Sequence, residues 1–142
     1  MPLPAEINRA LPSKASPVNA PAANSPALIA DLRTDHAGET GAVMIYRGIL
    51  AITRDAGVRH FAQAHLATET EHLAKIEPLL APRQRSRLLP LWRIAGWLTG
   101  ALPACIGPRA VYATIEAVET FVDQHYAEQI ESMITTLRPA AR

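Results

Sequence analysis

Glu69 and His72, a carboxylate and an imidazole, stand three positions apart in the segment LATETEHL. On an α-helix this spacing puts both side chains on one face, about one turn apart. Di-iron helical bundles present such a Glu-x-x-His pair twice and add single glutamates from two further helices. The full sequence contains one Glu-x-x-His. Residues that complement this pair must therefore come from other parts of the chain.

Two further glutamates interrupt apolar rows that recur at steps of three and four residues. Glu39 interrupts the row on the first predicted helix and Glu119 the row on the last, as Glu69 does on the second. An ionised carboxylate in a core costs several kcal/mol unless it is paired or binds a metal. The pattern fits either a metal site at Glu39, Glu69, His72 and Glu119 or a polar stripe on exposed helices. Such ligands suit iron, manganese and zinc, and they do not distinguish iron from manganese.

Composition sets limits on the class of protein. The chain has 142 residues, which is enough for one domain. Its formal net charge of +1 gives no argument for nucleic acid as a partner. Its single cysteine, Cys105, excludes an internal disulfide and is compatible with a reducing compartment. We expect Cys105 to be a small core residue.

The elements that must position these ligands are helical. Residues 1–25 are rich in Pro, Ala, Ser and Asn and have no signal-peptide core, so we expect a disordered leader. Ser25 followed by Pro26 is typical of a helix start. From there the apolar spacing is helical and no run alternates as a strand would. We predict an all-α domain over residues 26–142, with helices at 26–54, 58–80 and from 108.

An apolar segment at residues 88–107 has the length of a membrane span, but two prolines and Arg93 argue against a straight one. Arginines precede it, and it contains Trp92 and Trp97, which have the amphipathic character favoured at a lipid interface. The segment fits either a helix lying on a membrane surface or a buried bundle helix.

Four segments resemble, in order and spacing, the demethoxyubiquinone hydroxylases of the Coq-seven type, which act in ubiquinone biosynthesis. LRTDHAGETGAVMIYRG is similar to the Asp-His-Ala-Gly-Glu signature of their first helix, and ETEHL to their Glu-x-x-His-Leu. LLPLWRIAGWLTGAL resembles their Pro-Leu-Trp segment. AVETFVDQHYAEQI matches an Ala-Val-Glu followed seven residues later by Tyr, here Tyr126.

The resemblance implies a ferritin-like helical bundle with a di-iron centre that hydroxylates the demethoxyubiquinone ring with dioxygen. It implies Glu39, Glu69, His72 and Glu119 as iron ligands and Tyr126 near the centre. It also implies a polyprenyl quinone substrate and a peripheral location on the cytoplasmic face of the bacterial inner membrane. It favours the membrane-surface interpretation of residues 88–107.

One departure from the family pattern bears on function. The family continues with a helix that carries a second Glu-x-x-His, whereas this sequence runs to Arg142. The second iron site is therefore expected to be incomplete. Glu116 would restore the charge if it turned inward, but it also fits a solvated flank. The alternative function is a non-catalytic quinone- or lipid-binding remnant, or a truncated form of the enzyme. Homo-oligomerisation or association with other ubiquinone-biosynthesis proteins would supply the missing groups.

Overall fold

The structure, a computed structural model, describes residues 25–137. Within that range it contains α-helices and short 3-10 turns and no strand, so the all-α prediction is confirmed. The predicted leader lies outside the described residues except for Ser25. The four α-helices are α1 (Pro26–Ile52), α2 (Ala56–Ile76), α3 (Leu89–Ile106) and α4 (Pro108–Leu137).

Helix starts follow local capping chemistry. The Ser25 hydroxyl accepts a hydrogen bond from the Leu28 amide at 3.2 Å, which confirms the predicted start of α1. The Asp55 carboxylate caps α2 by accepting from the Val58 amide at 2.8 Å. α2 ends at Ile76, earlier than predicted, and a 3-10 turn follows. The reason is Pro78, whose nitrogen has no proton to donate to a helical hydrogen bond.

The buried core lies where α1, α2 and the first turns of α4 meet. It includes apolar side chains from all three helices, namely Ile45, Tyr46, Ile49, Val58, Ala62, Val111 and Ile115. Ile115 is the last buried core residue of α4, so only the first part of that helix packs against the core. The metal-ligand candidates lie outside this cluster, with Glu39 near the middle of α1 and Glu69 and His72 in the second half of α2.

α3 packs against α1 with unusually close backbones. A Cβ atom added at Gly96 would lie 2.6 Å from the Gly41 carbonyl oxygen, and one added at Gly100 would overlap the Ile45 carbonyl. Glycine at these two positions is therefore required by the approach of the helices. This face of α3 is buried against α1, as the buried-helix interpretation of residues 88–107 predicts for one side of the helix.

The other face of α3 is exposed and apolar. Its uncovered large side chains are Leu88, Leu91, Trp92, Ile94, Leu98, Leu102 and Ile106. The expectation that Cys105 is a core residue is wrong, because this cysteine is exposed as well. Among residues 25–137, no helix has the length and hydropathy needed to cross a membrane.

Candidate metal centre

Three of the predicted ligands converge from two helices. His72 Nδ1 lies 3.3 Å from Glu69 Oε2 on its own helix and 3.8 Å from Glu39 Oε2 on α1. One ligand atom from each of the three lies within 4.8 Å of the others. We call these three residues the metal triad. The i, i+3 spacing on α2 brings Glu69 and His72 together, and the packing of α1 on α2 adds Glu39.

The triad lies at the edge of the protein interior. The side chains of Glu39 and Glu69 are 13 % and 21 % exposed, whereas His72 is 48 % exposed. Burial, together with the neighbouring Glu69 carboxylate, raises the pKa of Glu39 to about 8. Two acidic groups held this close oppose each other's ionisation, and a bound cation would relieve that repulsion.

The donor set fits a metal ion. Two carboxylates and one imidazole suit iron, manganese and zinc. Glu39 Oε2 is buried and has no hydrogen-bond partner within the described residues. An unpaired buried carboxylate oxygen is costly, and a metal ion would satisfy it. The triad therefore offers three ligands to one ion.

Glu119 is not part of this group. Its side chain is exposed on α4, and its role as a ligand stays a prediction. No described element covers that face of α4 at this level. Burial, then the charges of Glu119 and Glu69, raises the pKa of the Tyr46 phenol. Glu116 is likewise exposed.

Tyr126 reaches toward the triad from α4. Its side chain is exposed at 38 %. Burial, then the charges of Asp35, Glu39 and Glu69, raises the pKa of its phenol. The direction of this shift favours the neutral phenol.

The structure also shows partners that sequence reasoning did not assign to the site. Gln129 Nε2 on α4 donates to Asp35 Oδ1 on α1 at 3.5 Å, which links the two helices one turn from Glu39. Burial raises the pKa of Asp35, while this hydrogen bond opposes the shift. The signal available in the sequence was the position of Asp35, one helical turn before Glu39 in the same row.

The remaining histidines have other roles. His65 stacks on Tyr46 with ring centroids 5.3 Å apart and packs against Phe61 at 4.3 Å, so it is an interior aromatic group. His125 neighbours Tyr126, and its Nε2 is buried without a hydrogen-bond partner in the described part of the chain. Neither residue belongs to the group of metal-ligand candidates.

The sequence is similar to one known protein family and to several curated proteins. A family model described as "Ubiquinone biosynthesis protein COQ7" matches residues 27–140. A 3-demethoxyubiquinol 3-hydroxylase of Rhodospirillum rubrum is 44 % identical over 77 % of this chain and 54 % of the relative. The NADPH-dependent 3-demethoxyubiquinone 3-hydroxylases of Dictyostelium discoideum and Homo sapiens are each 36 % identical, over 72 % of this chain and 48 % of each relative.

The chain thus spans about half the length of these curated relatives. A similar enzyme of Bordetella petrii is 31 % identical over 93 % of this chain and 66 % of its own length. The family match extends over most of the chain and includes all three residues of the metal triad. On this evidence the chain belongs to the COQ7 family of ubiquinone biosynthesis proteins.

Proposed function

We propose that this protein hydroxylates the ring of a demethoxyubiquinone, with dioxygen, in ubiquinone biosynthesis. The observation that carries the proposal is the convergence of Glu39, Glu69 and His72 from two helices in a chain of the COQ7 family. The names of its relatives support the reaction class, since they are 3-hydroxylases of demethoxyubiquinol or demethoxyubiquinone.

Iron is the proposed metal, held first by the triad. Iron, when bound, would supply the activation of dioxygen that ring hydroxylation requires. Glu119 is proposed as a ligand of a second iron, and its exposure on α4 means that this second position needs a covering group. That group lies outside the described residues 25–137.

The protein's own residues have separate tasks in this proposal. Glu39 carries a proton at neutral pH in the metal-free state, because its pKa is about 8, and releases it when a cation binds. Glu69 and His72 bind as a preformed pair on one helix face. Tyr126 is proposed to donate a hydrogen bond toward the centre, and the direction of its pKa shift, which burial and the charges of Asp35, Glu39 and Glu69 raise, favours the neutral phenol.

The exposed apolar face of α3 is the proposed route to the substrate. A polyprenyl quinone partitions into lipid, so a protein acting on its ring must reach it from the membrane surface. The face of α3 that is not packed on α1 presents Leu91, Trp92 and Leu98, with Arg93 beside them. We propose that this face lies on the cytoplasmic surface of a bacterial inner membrane.

Iron content and turnover test the proposal together. The protein reconstituted with ferrous iron should retain it and convert a demethoxyubiquinol, with NADPH as the electron source suggested by its relatives' names. Glu69→Gln should lose iron and lower turnover at least about 100-fold, the scale expected when a metal ligand is removed. Glu71→Gln is the matched control, since Glu71 is exposed two residues away and pairs with Lys75 at 2.8 Å.

Two outcomes separate this function from its alternative. Absence of retained iron together with absence of oxygen consumption would contradict the hydroxylase. If the same preparation still bound quinone-containing vesicles, the non-catalytic quinone- or lipid-binding function would replace it.

A further inference from the structure

His36 is a buried titratable group that the proposed reaction does not use. Its side chain is almost fully enclosed, with a residue exposure of 2 %. Neither ring nitrogen has a hydrogen-bond partner within the described residues. It lies on α1 one turn before Glu39, and its backbone carbonyl accepts from the Thr40 hydroxyl at 2.8 Å. A buried imidazole without partners costs free energy, which other contacts around it must offset.

His36 faces the segment that follows α2. Its Nε2 lies 3.9 Å from Glu77 Oε1, at the start of the 3-10 turn Glu77–Leu79. Arg85 Nη1 donates to the same Glu77 oxygen at 3.1 Å, and Nη2 donates to the Glu77 carbonyl at 3.4 Å. Arg85 Nε is itself buried without a partner in residues 25–137. We call His36, Glu77 and Arg85 the His36 cluster.

A second contact joins the connection between α2 and α3 to the same part of α1. Arg33 Nε donates to the Gln84 carbonyl at 2.6 Å. Arg33 and His36 are three residues apart and thus neighbours on the helix surface. The connection between α2 and α3 therefore contacts α1 at two points, the Arg33–Gln84 hydrogen bond and the approach of the buried His36 ring to the exposed Glu77 carboxylate.

The His36 cluster and the metal triad form consecutive links between α1 and α2. Glu39 meets His72 at 3.8 Å, and one turn earlier on α1 His36 meets Glu77 at 3.9 Å. His72 lies in the last turns of α2, and Glu77 follows directly after its last residue. Since both links join the same two segments, the spacing at one constrains the spacing at the other.

We propose that His36 is a positioning residue for the metal centre. Through Glu77 and Arg85, His36 fixes the end of α2 against α1. This keeps Glu39 within coordination distance of Glu69 and His72. The proposal rests on the proposed function, because it takes the triad to bind a metal. Groups that orient ligands from outside the coordination sphere commonly change metal affinity 10- to 100-fold.

Charge around the ring makes this contact sensitive to acid. Burial, then the positive charge of Arg85, lowers the pKa of His36, and the charge of Arg93 on α3 lowers it further. The Glu77 carboxylate acts in the opposite direction and raises this pKa. His36 is thus neutral at neutral pH. A proton on the ring would add a positive charge beside Arg85 and Arg93 and would compete with Arg85 for the Glu77 carboxylate, which weakens the Arg85–Glu77 contact on which the cluster depends.

Cobalt(II) binding to the full chain tests the proposal, because the visible absorption of Co²⁺ reports both affinity and coordination geometry. His36→Leu should weaken Co²⁺ binding at least tenfold and change the band intensity. His36→Gln should stay within about threefold of the parent, because glutamine keeps a polar group opposite the Glu77 carboxylate. His60→Leu, an exposed histidine on α2, is the matched control and should bind as the parent does.

Acid dependence supplies a readout that loss of packing alone does not move. From pH 7 to 5.5 the parent should lose Co²⁺ affinity faster than His36→Gln, because both share the triad and differ in the ring at position 36. Arg85→Met breaks the cluster from the other side and should also weaken binding at least tenfold. It decides the question if His36→Leu does not reach parental helix content.

The outcomes separate this inference from the function on which it rests. A parent protein that binds no Co²⁺ would overturn the metal centre and the inference together. A parent that binds Co²⁺, with folded His36→Leu and Arg85→Met retaining parental affinity and spectrum, would overturn the role of His36 alone. Identical pH profiles for the parent and His36→Gln would also count against it.

Discussion

Glu39 illustrates how position within the protein sets the chemistry of one side chain. As an isolated glutamate it would be ionised at neutral pH, with an ordinary pKa of 4.5. Burial and the neighbouring Glu69 carboxylate raise that pKa to about 8. The metal-free protein therefore keeps a proton on Glu39 that a bound cation would displace. Metal binding would release this proton, so the metal affinity should increase as pH rises.

The same shift predicts how stability depends on pH. Between about pH 4.5 and 8 the folded metal-free protein binds more protons at Glu39 than the unfolded chain does, so this group makes stability fall as pH rises. Glu39→Gln should abolish Co²⁺ binding and make the metal-free protein more stable than the parent at pH 8, by about 1–3 kcal/mol. Urea unfolding at pH 6 and pH 8 with a chelator measures this.

Glu71→Gln is the control for that experiment, because Glu71 is an exposed carboxylate on the adjacent helix face. It should leave both Co²⁺ binding and the difference between pH 6 and pH 8 unchanged. Equal pH dependence in the parent and Glu39→Gln would show that Glu39 does not hold the proton.

At the scale of elements, the contact between α1 and α3 depends on the absence of side chains. Gly96 and Gly100 let the two backbones approach, and a Cβ at either position would collide with backbone atoms of α1. Backbone atoms cannot move aside as the end of a flexible side chain can. The position of α3, with one face on protein and one face uncovered, follows from these glycines.

Two glycine substitutions test this packing. Gly100→Ala should destabilise the protein by about 1–3 kcal/mol, the range typical of overpacking. Gly38→Ala should instead stabilise it by about 0.5–1 kcal/mol, because a Cβ there meets no atom within 4 Å and alanine favours the helix. Thermal unfolding of both variants gives the comparison. Loss of stability in both, or in neither, would contradict the close packing of α1 and α3.

The uncovered face of α3 predicts binding to lipid. Leu91→Glu combined with Leu102→Glu places two charges on that face and should lower partition onto phosphatidylglycerol-containing vesicles at least tenfold, since burying each leucine contributes about 1.5–3 kcal/mol. Gln63→Glu combined with Ala67→Glu adds the same charge to exposed positions of α2 and controls for it. Vesicle sedimentation and the emission of Trp92 and Trp97 measure the effect. Equal binding of both double variants would contradict the membrane-facing role of α3.

At the scale of the whole molecule, α4 is packed against the core through its first turns, and its later part exposes apolar side chains. The core joins α1, α2 and the first turns of α4, whereas Phe121, Ile130, Met133 and Ile134 on the later part of α4 are exposed. The metal triad lies beyond the buried residues of α2, which end at Ala62, whereas Glu39 is flanked on α1 by the buried Ala37, Thr40 and Val43. A metal ion there would link the less buried half of α2 to α1.

Metal binding should therefore stabilise the entire domain. At a free metal concentration 100 times the Kd, the gain is about 2.7 kcal/mol, which for a domain of this size raises the Tm by roughly 10 °C. Calorimetry of the parent with and without Co²⁺ measures the shift, and a chelator should reverse it. Glu69→Gln should show no shift. A Tm in the parent that is independent of the metal would contradict the triad as a metal site.

Local chemistry explains why part of the fold and site was predictable from the sequence. The start of α1 at Ser25 and Pro26 depends on a side-chain cap and a fixed backbone angle, both of which act within a few residues. The pairing of Glu69 with His72 depends only on the pitch of a helix. The addition of Glu39 was predictable from its row, because an acidic residue inside an apolar row needs a partner.

The sequence by itself thus determined the helical class and the family, and it predicted four metal ligands, because these depend on spacing along the chain and on residue type. Only the packing of α1 on α2 decided that three of the four, Glu39, Glu69 and His72, lie together. Tertiary structure alone decided that Glu119 and Cys105 are exposed and that His36 is buried beside Glu77 and Arg85. The physical reason is that burial is a property of what packs against a helix face. A periodic row shows that a helix has two faces, but only the packed neighbours show which of them is covered.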